Sequence, residues 1–285
     1  MTTTPGSIRR WILAARIRTL PAAVVPVVLG AVAARPINYP MAVLAALVAL
    51  SLQIATNFAN DYSDGVKGSD ADRVGPFRLT ASGLVAARSV RNMAIAWFAV
   101  AAVIGLVIAS TTSWWLLLIG ASAIAAGWLY TGGPHPYGYL GLGELFVMIY
   151  FGFVATVGTS YIQHQQIAPN SWWLGLAAGS MACTLLEANN LRDADQDRLV
   201  GKRTLAARLG RERGSWLYVA CVFGVGLGAG MAVTRGTILA ALYLLPLRNF
   251  VFTERRGRDL LPLLQQSAML QLVIGALLSV LVFLG

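Results

Sequence analysis

The sequence predicts an all-α membrane protein, a polytopic bundle of nine transmembrane helices that forms one domain over residues 1–285. Of its residues, 57% are hydrophobic and 12% are charged, whereas soluble proteins average about 25% charged. Several apolar runs approach the ~20 residues that a helix needs to cross a bilayer. A nine-span arrangement places 20 of the 22 basic residues on one side of the membrane. That bias predicts a cell-membrane protein whose basic loops and amino terminus face the cytoplasm.

The spans follow from the apolar runs, taken in order along the chain. Before them, residues 1–18 hold a short apolar stretch preceded by Arg9 and Arg10, which predicts an interfacial amphipathic segment. The eighth span is the least regular, because Pro246 and Arg248 interrupt it. The predicted spans are Leu20–Ala34, Met41–Ala59, Val90–Ser110, Trp114–Tyr130, Gly143–Tyr161, Trp172–Asn190, Trp216–Thr234, Ile238–Phe252 and Met269–Leu284.

The formal net charge of +10 has a topological explanation. Basic composition is typical of proteins that bind nucleic acid and of proteins that contact anionic lipid. Here the basic residues concentrate in the loops of one membrane side, so the charge indicates topology and lipid contact. We therefore expect no nucleic-acid partner.

An acidic cluster follows the second apolar run, at the cytoplasmic end of that predicted span. Asn60, Asp61 and Asp64 come first, and Asp70 and Asp72 follow. Carboxylates gathered at a helix end repel one another unless a cation lies among them. Oxygen ligands without His or Cys nearby indicate Mg²⁺ rather than Zn²⁺. Taken alone, the cluster could also be a solvated surface loop.

A second cluster, at the end of the sixth span, argues against a surface loop. Asn190, Asp193 and Asp197 share one helical face at positions i, i+3 and i+7. Asp193 lies 129 positions after Asp64 (193 − 64 = 129), and Asn189 lies 129 positions after Asn60 (189 − 60 = 129). The sequence therefore predicts an internal repeat whose two acidic clusters together bind one or two Mg²⁺ ions that carry a diphosphate.

Basic residues follow both clusters. Lys67 and Arg78 come after the first, and Arg192, Lys202 and Arg203 lie in or after the second. Charged donors of this kind suit phosphate oxygens. Each could equally be a determinant of membrane topology.

The loop over residues 130–144 is rich in Gly and Pro and contains no Lys or Arg. Its Tyr137 and Tyr139 either line an aromatic pocket or belong to an interfacial aromatic belt. Glu187, one turn before Asn190, is an ionisable group inside a predicted span. Such groups are candidates for function.

The paired motifs resemble those of the UbiA-type membrane prenyltransferases, and the resemblance covers nearly the whole chain. Shorter motifs are similar to the branch of that superfamily that prenylates 1,4-dihydroxy-2-naphthoate in menaquinone synthesis. The paired motifs are Asn60-Asp61-x-x-Asp64 and Arg192-Asp193-x-x-x-Asp197, and the shorter ones include Arg18-Thr19-Leu20-Pro21, Tyr130-Thr-Gly132-Gly133-Pro134 and Gly201-Lys202-Arg203-Thr204.

The resemblance implies a nine-helix bundle built from a repeat, with its active site at the cytoplasmic end and Mg²⁺ as cofactor. It implies transfer of a polyprenyl group from polyprenyl diphosphate to 1,4-dihydroxy-2-naphthoate, with release of diphosphate and CO₂, to give demethylmenaquinol. The implied roles are Asp61, Asp64, Asp193 and Asp197 as catalytic groups and, with Asn60 and Asn190, metal ligands; Lys67, Arg78, Tyr130, Arg192, Lys202 and Arg203 as diphosphate ligands; and Tyr137 and Tyr139 beside the acceptor.

Alternatives remain within the superfamily and outside it. Other acceptors are 4-hydroxybenzoate and homogentisate, although Gly132-Gly133-Pro134 stands where hydroxybenzoate enzymes have a basic pair. A secondary transporter also has repeats and intramembrane acids, but these lie near the midplane. The single Asp-Gly-x-x-Ala-Arg motif of CDP-alcohol phosphatidyltransferases is absent from the sequence.

Overall fold

The computed structural model describes residues 6–69 and 78–285, and every regular element within them is helical. The all-α prediction is therefore confirmed for this part of the chain. Asp70, Asp72 and Arg73 lie outside the described residues. In order, the helices are α1 (Ser7–Ala14), α2 (Pro21–Ala33), α3 (Tyr39–Lys67), α4 (Ala87–Thr111), α5 (Leu116–Leu129), α6 (Gly143–His164), α7 (Asn170–Leu199), α8 (Leu205–Ala232), α9 (Gly236–Val251) and α10 (Leu261–Leu284).

Five helices are long and apolar enough to cross a membrane: α3, α4, α6, α8, and α10 together with the 3₁₀ turn Gly257–Leu260 before it. Three shorter apolar helices are α2, α5 and α9. These eight helices and α7 make nine, and in the described part of the chain each overlaps one of the nine predicted spans. The protein is thus a helical membrane protein, and nine crossings remain a prediction.

The two helices that carry the acidic motifs run past their predicted spans. We expected the second span to end at Ala59 and the sixth at Asn190, whereas α3 continues to Lys67 and α7 to Leu199. Hydropathy falls where the acids begin, but the backbone hydrogen bonds of the helix do not depend on side-chain polarity. The acids therefore project from regular helix rather than from loops.

Two other helices differ from their predicted bounds for local reasons. α8 begins at Leu205 instead of Trp216, capped by the Thr204 hydroxyl, which accepts a hydrogen bond from the Ala207 amide (3.2 Å). It is kinked at Gly210, whose φ of 81° is not helical. α9 starts as a 3₁₀ helix and ends in π turns around Pro246. Proline lacks an amide hydrogen, so it disturbs the regular α-helical ladder there.

The helices pack in two halves around the short, buried α2. α3 packs against α4, and α7 packs against α8, while α2 contacts α3, α6, α7 and α10. Where α6 crosses α7, Gly152 lies against Gly175 and Gly179, so that the two backbones touch. Small residues at helix crossings are typical of membrane bundles. The arrangement brings the carboxyl-terminal halves of α3 and α7 to the same end of the bundle.

The amino-terminal helix α1 is amphipathic. Trp11 packs edge-on against Phe58 of α3, with ring centroids 5.8 Å apart, and Ala14 is buried. Ile8 and Ile12 are exposed on its other side. This arrangement suits a helix lying at a membrane surface, and its location there remains a prediction.

Candidate active site

The two acidic motifs meet at a small polar pocket of about 70 Å³. α3 contributes Asn60 and Asp64, and α7 contributes Asn190, Asp193 and Asp197. All five side chains are buried. The other residues that line the pocket are Arg16, Arg78, Tyr130, Thr131, Gly138, Tyr139, Asn189, Lys202 and Thr204.

Asp64 is the most highly connected acid of the first motif. Its carboxylate accepts a hydrogen bond from the Tyr139 hydroxyl (2.8 Å) and lies 3.2 Å from Lys202 Nζ and 3.6 Å from Arg78 Nη2. The aspartate is 2% exposed, so these charges interact with little screening by water. Two predicted phosphate ligands therefore pair with a predicted metal ligand.

The acids of the second motif have their own partners. Arg192 donates to both carboxylate oxygens of Asp193, from Nε and Nη2, each at 2.6 Å. This bidentate pair fixes the orientation of the aspartate. Asp197 accepts a hydrogen bond from Thr204 Oγ1 at 3.4 Å, so the loop after α7 closes onto the cluster.

The asparagines of the two motifs are also held in place. The side-chain oxygen of Asn60 accepts a hydrogen bond from Thr131 Oγ1 (2.8 Å). The Asn190 amide nitrogen donates to Glu144 Oε1 (2.9 Å), and Glu187 is fully buried on α7, one turn before Asn190.

Asp61 has a different environment from Asp64. Both of its carboxylate oxygens accept backbone amide hydrogen bonds, from Leu79 (2.8 Å) and Thr80 (2.9 Å). It is 1% exposed and does not line the polar pocket. The sequence grouped it with the metal ligands, and the structure places it where it anchors the loop that carries Arg78.

Three of the predicted diphosphate ligands do not line the pocket. Lys67 donates to the carbonyl oxygens of Thr131 (2.6 Å) and Gly133 (3.2 Å). Arg192 is engaged with its neighbouring aspartate. The exposed Arg203 contributes a backbone amide that donates to the Tyr139 carbonyl oxygen (2.9 Å). These residues hold the walls of the pocket together.

A second cavity, apolar and about 370 Å³ in volume, runs between α2, α3, α4, α5, α6 and α7. Four of its lining residues also line the polar pocket, so the two spaces meet there. The shared residues are Arg16, Asn60, Tyr130 and Asn189. An apolar chain with a charged head would fit across this junction.

Tyr137 and Tyr139 separate at the 3₁₀ turn Tyr137–Leu140. Tyr137 lines the apolar cavity, stacks on Phe146 at 3.9 Å between ring centroids, and donates to the Ala126 carbonyl oxygen (2.9 Å). Burial raises the pKa of its hydroxyl, which therefore stays protonated as a donor. Tyr139 instead lines the polar pocket. Residues two apart on a 3₁₀ helix point in different directions, which explains the separation.

Sequence reasoning did not assign five of the pocket residues to the site: Arg16, Thr131, Gly138, Asn189 and Thr204. Asn189 had a signal, because it is the repeat equivalent of Asn60. Arg16 had none beyond its charge. It lies in the turn after α1 with φ 55°, in the left-handed region. That conformation costs a non-glycine residue about 1–2 kcal/mol.

The donor set can be tested against Mg²⁺. Among the residues that the structure describes, no three His, Cys, Asp or Glu side chains lie close enough to form a metal site alone. Mg²⁺, however, is commonly bound by one or two carboxylates and completes its octahedron with substrate phosphates and water. Buried carboxylates from two helices around a small pocket fit Mg²⁺ that arrives with a phosphate-bearing substrate.

With this geometry in view, the chain was compared with known proteins. The sequence profile of the UbiA prenyltransferase family matches residues 23–282. The chain belongs to the UbiA prenyltransferase family. Among individual relatives, the 1,4-dihydroxy-2-naphthoate octaprenyltransferase of Mycobacterium tuberculosis is 43% identical over 280 residues, covering 94% of each chain.

Solved structures of UbiA homologues share the fold. The apo homologue from Aeropyrum pernix K1 superposes with a TM-score of 0.68 at 18% identity, covering 94% of this chain and 98% of the other. The homologue from Archaeoglobus fulgidus bound to GPP and Mg²⁺ gives 0.66 at 14% identity, covering 95% and 99%. The UbiA-type helical fold predicted from the motifs is therefore confirmed.

Proposed function

We propose that this UbiA-family protein transfers a polyprenyl group from polyprenyl diphosphate to 1,4-dihydroxy-2-naphthoate, releasing diphosphate and CO₂ to give demethylmenaquinol. The observation that carries the proposal is the junction of the two cavities: an acid-lined, phosphate-sized pocket opens into a long apolar cavity at Arg16, Asn60, Tyr130 and Asn189. A prenyl diphosphate needs both environments, joined at its reacting carbon.

In this reading, the diphosphate lies in the polar pocket. Asp64, Asp193 and Asp197, with the side-chain oxygens of Asn60 and Asn190, would hold Mg²⁺, which supplies charge neutralisation for the leaving diphosphate. Arg78 and Lys202 line the same pocket and neutralise further charge. Asp61 keeps the loop of Arg78 in place.

The residues around the apolar cavity serve the other half of the reaction. The allylic C–O bond breaks, and its electron pair leaves with the diphosphate. Tyr130, Tyr137 and Phe146 line the cavity next to that bond and exclude water from the allylic cation. The acceptor ring then forms the new C–C bond, and the electrons of its C–CO₂ bond restore the aromatic ring as CO₂ leaves.

The loop after α5 supports the bicyclic acceptor. It provides Tyr137, which stacks on Phe146 of α6, and it contains no Lys or Arg to hold a hydroxybenzoate carboxylate. A fused ring buries more apolar surface against these rings, worth about 25 cal/mol per Å². Size discrimination of this kind is limited, so weak turnover of smaller rings is expected.

We further propose that the chain crosses the cell membrane nine times, with the two acidic motifs at the cytoplasmic end. The support is the concentration of basic residues in loops at that end. Surrounding lipid would then admit the prenyl tail.

The test of the function is a product assay. Membranes from cells that express the protein receive one labelled polyprenyl diphosphate and, separately, 1,4-dihydroxy-2-naphthoate, 4-hydroxybenzoate or homogentisate. We expect labelled product with the naphthoate, lost on removal of Mg²⁺. Equal or better turnover of 4-hydroxybenzoate would contradict the naphthoate assignment, and no product from any acceptor would contradict prenyl transfer.

A further inference from the structure

Arg16 lies where the polar pocket and the apolar cavity meet. It follows α1 in a left-handed turn and lines both the polar pocket and the apolar cavity. Among the described residues that line the apolar cavity, it is the one charged side chain. Arg78 and Lys202 line the polar pocket but not the apolar cavity.

The turn that carries Arg16 is fixed by buried amides of α3. The Asn57 side chain donates from Nδ2 to the Ala15 carbonyl oxygen (2.9 Å) and to Thr19 Oγ1 (3.1 Å). Gln53 donates to the same Thr19 hydroxyl (3.1 Å), and that hydroxyl donates to the Arg16 carbonyl oxygen (2.9 Å). Side chains of α3 thus hold a strained backbone in one conformation. Strain that the surrounding structure maintains is typical of functional positions.

The positive charge of Arg16 is complementary to the carboxylate of the proposed acceptor. 1,4-Dihydroxy-2-naphthoate brings a carboxylate into an otherwise apolar cavity, and a buried charge needs a hydrogen-bonded partner of opposite sign. The loop over residues 130–144, which faces the acceptor in the proposed reaction, has no Lys or Arg. A guanidinium can hold a carboxylate through two parallel hydrogen bonds.

We propose that Arg16 binds the carboxylate of the aromatic acceptor and so selects acceptors that carry one. The inference rests on the proposed function and adds a specificity residue to it. Since Arg16 lies at the junction, the ring carbon that bears the carboxylate is held beside Asn60, Tyr130 and Asn189, where the donor's C–O bond breaks. The carbon that loses CO₂ is then the carbon nearest the prenyl group.

Non-reacting probes separate binding from chemistry. The inhibition constants of 2-naphthoate and of its neutral amide, 2-naphthamide, are measured against the acceptor in the full-length protein, for wild type, Arg16→Gln, Arg16→Lys and Arg9→Gln. Arg9 is exposed on α1 and serves as the matched control. Inorganic diphosphate with Mg²⁺ probes the polar pocket in the same variants.

We expect Arg16→Gln to weaken inhibition by 2-naphthoate by about 10–100-fold, the loss of one charge-assisted interaction. Inhibition by 2-naphthamide and by diphosphate, and the donor KM, should stay within about threefold. Arg16→Lys should restore part of the loss, because a lysine keeps the charge without the planar fork. Arg9→Gln should match wild type.

Three results would overturn the inference. An equal loss for 2-naphthoate and 2-naphthamide would mean that the substitution disturbs the turn. A selective loss for diphosphate would assign Arg16 to the donor. Selectivity for 2-naphthoate that persists in Arg16→Gln would mean that another group binds the carboxylate. If wild type prenylates no naphthoate yet binds 2-naphthoate through Arg16, the proposed function fails while the carboxylate site stands.

Discussion

Single residues in the polar pocket are already paired with charges of opposite sign. Asp64 lies beside Lys202 and Arg78, and Asp193 is held by Arg192. In the proposed reaction, the basic side chains that line the pocket would gain phosphate oxygens as partners, and the carboxylates would gain Mg²⁺. The site would then exchange one set of ion pairs for another, so that no buried charge is left without a partner.

The first prediction concerns the matched acids of the two motifs. Asp64→Asn and Asp193→Asn should each lower kcat at least ~100-fold, since each removes an anionic ligand from a site that works by charge neutralisation. Asp195→Asn is the matched control: Asp195 lies between the two acids on α7 but is 61% exposed and pairs with Arg198. Turnover is measured beside a size-exclusion profile. Near-normal turnover in either active-site variant would contradict the proposal that the two motifs form one site.

Asp61 gives a second prediction that separates anchoring from metal binding. In Asp61→Asn, an NH₂ group replaces one of the two oxygens that accept from Leu79 and Thr80. The loop of Arg78 should loosen, so kcat/KM for the donor falls while the Mg²⁺ concentration for half-maximal rate stays unchanged. A rise in that concentration as large as in Asp64→Asn would make Asp61 a metal ligand.

The sequence predicted several residues of this site because they occur twice. Asp64 and Asp193 each lie near the carboxyl end of a helix and are 129 positions apart, as are Asn60 and Asn189. Such a repeat is visible in the sequence without a structure. Arg16 was invisible because its role depends on one left-handed turn and on side chains of a helix some 40 positions away, Asn57 among them (57 − 16 = 41). The sequence grouped Tyr139 with Tyr137 beside the acceptor, whereas the structure places Tyr139 in the polar pocket. The turn that separates the two tyrosines leaves no clear pattern in the sequence.

At the scale of helices, apolar runs predicted where the elements lie but not where they end. α3 and α7 extend beyond their runs because the acids continue the helix.

Three glycines, Gly105, Gly120 and Gly158, line the apolar cavity, and a Cβ added to any of them would meet no atom within 4 Å. Gly120 lies ten residues before Tyr130, ~15 Å along a helix. These glycines leave the cavity open far from the polar pocket.

The third prediction uses that open space. Gly158→Leu should fill part of the cavity without a clash and lower kcat/KM for long prenyl diphosphates, while geranyl diphosphate is used as before. Gly158→Ala should give a smaller effect in the same direction. Leu118→Phe adds bulk on an outward-facing position of α5, 75% exposed, and should leave the ratio unchanged. An equal loss for long and short donors would show that the cavity does not measure chain length.

For the whole molecule, charge placement predicts an orientation of the bundle, and that orientation remains a prediction. The bias of 20 of 22 basic residues depends only on which loops share a side. Packing between the two halves was not predictable, because close approaches such as that of Gly152 to Gly179 involve residues without a distinctive pattern.

Orientation is the fourth prediction. In a chain whose Cys183 and Cys221 are replaced by Ala, a cysteine at Glu212 should react with an impermeant maleimide only from the cytoplasmic side, and one at Gln166 only from outside. Glu212 and Gln166 are both exposed and so accessible to the reagent. Ser69, in the loop after α3, is a poor labelling position because it is buried and hydrogen-bonded to Tyr139. Labelling of both cysteines from the same side would mean that the number of crossings between them is even.

The polar pocket and Arg16 share a consequence for how the product departs. In the proposed reaction each substrate is retained at the polar end by a negative charge, the diphosphate of the donor and the carboxylate of the acceptor. Diphosphate leaves with its negative charge, and the carboxylate charge disappears when CO₂ departs as a neutral molecule and leaves its electron pair on the cationic ring. The quinol therefore has no anion to hold it there. Its affinity for the site falls at the moment of chemistry, and partition into the surrounding lipid then drives release without a conformational change.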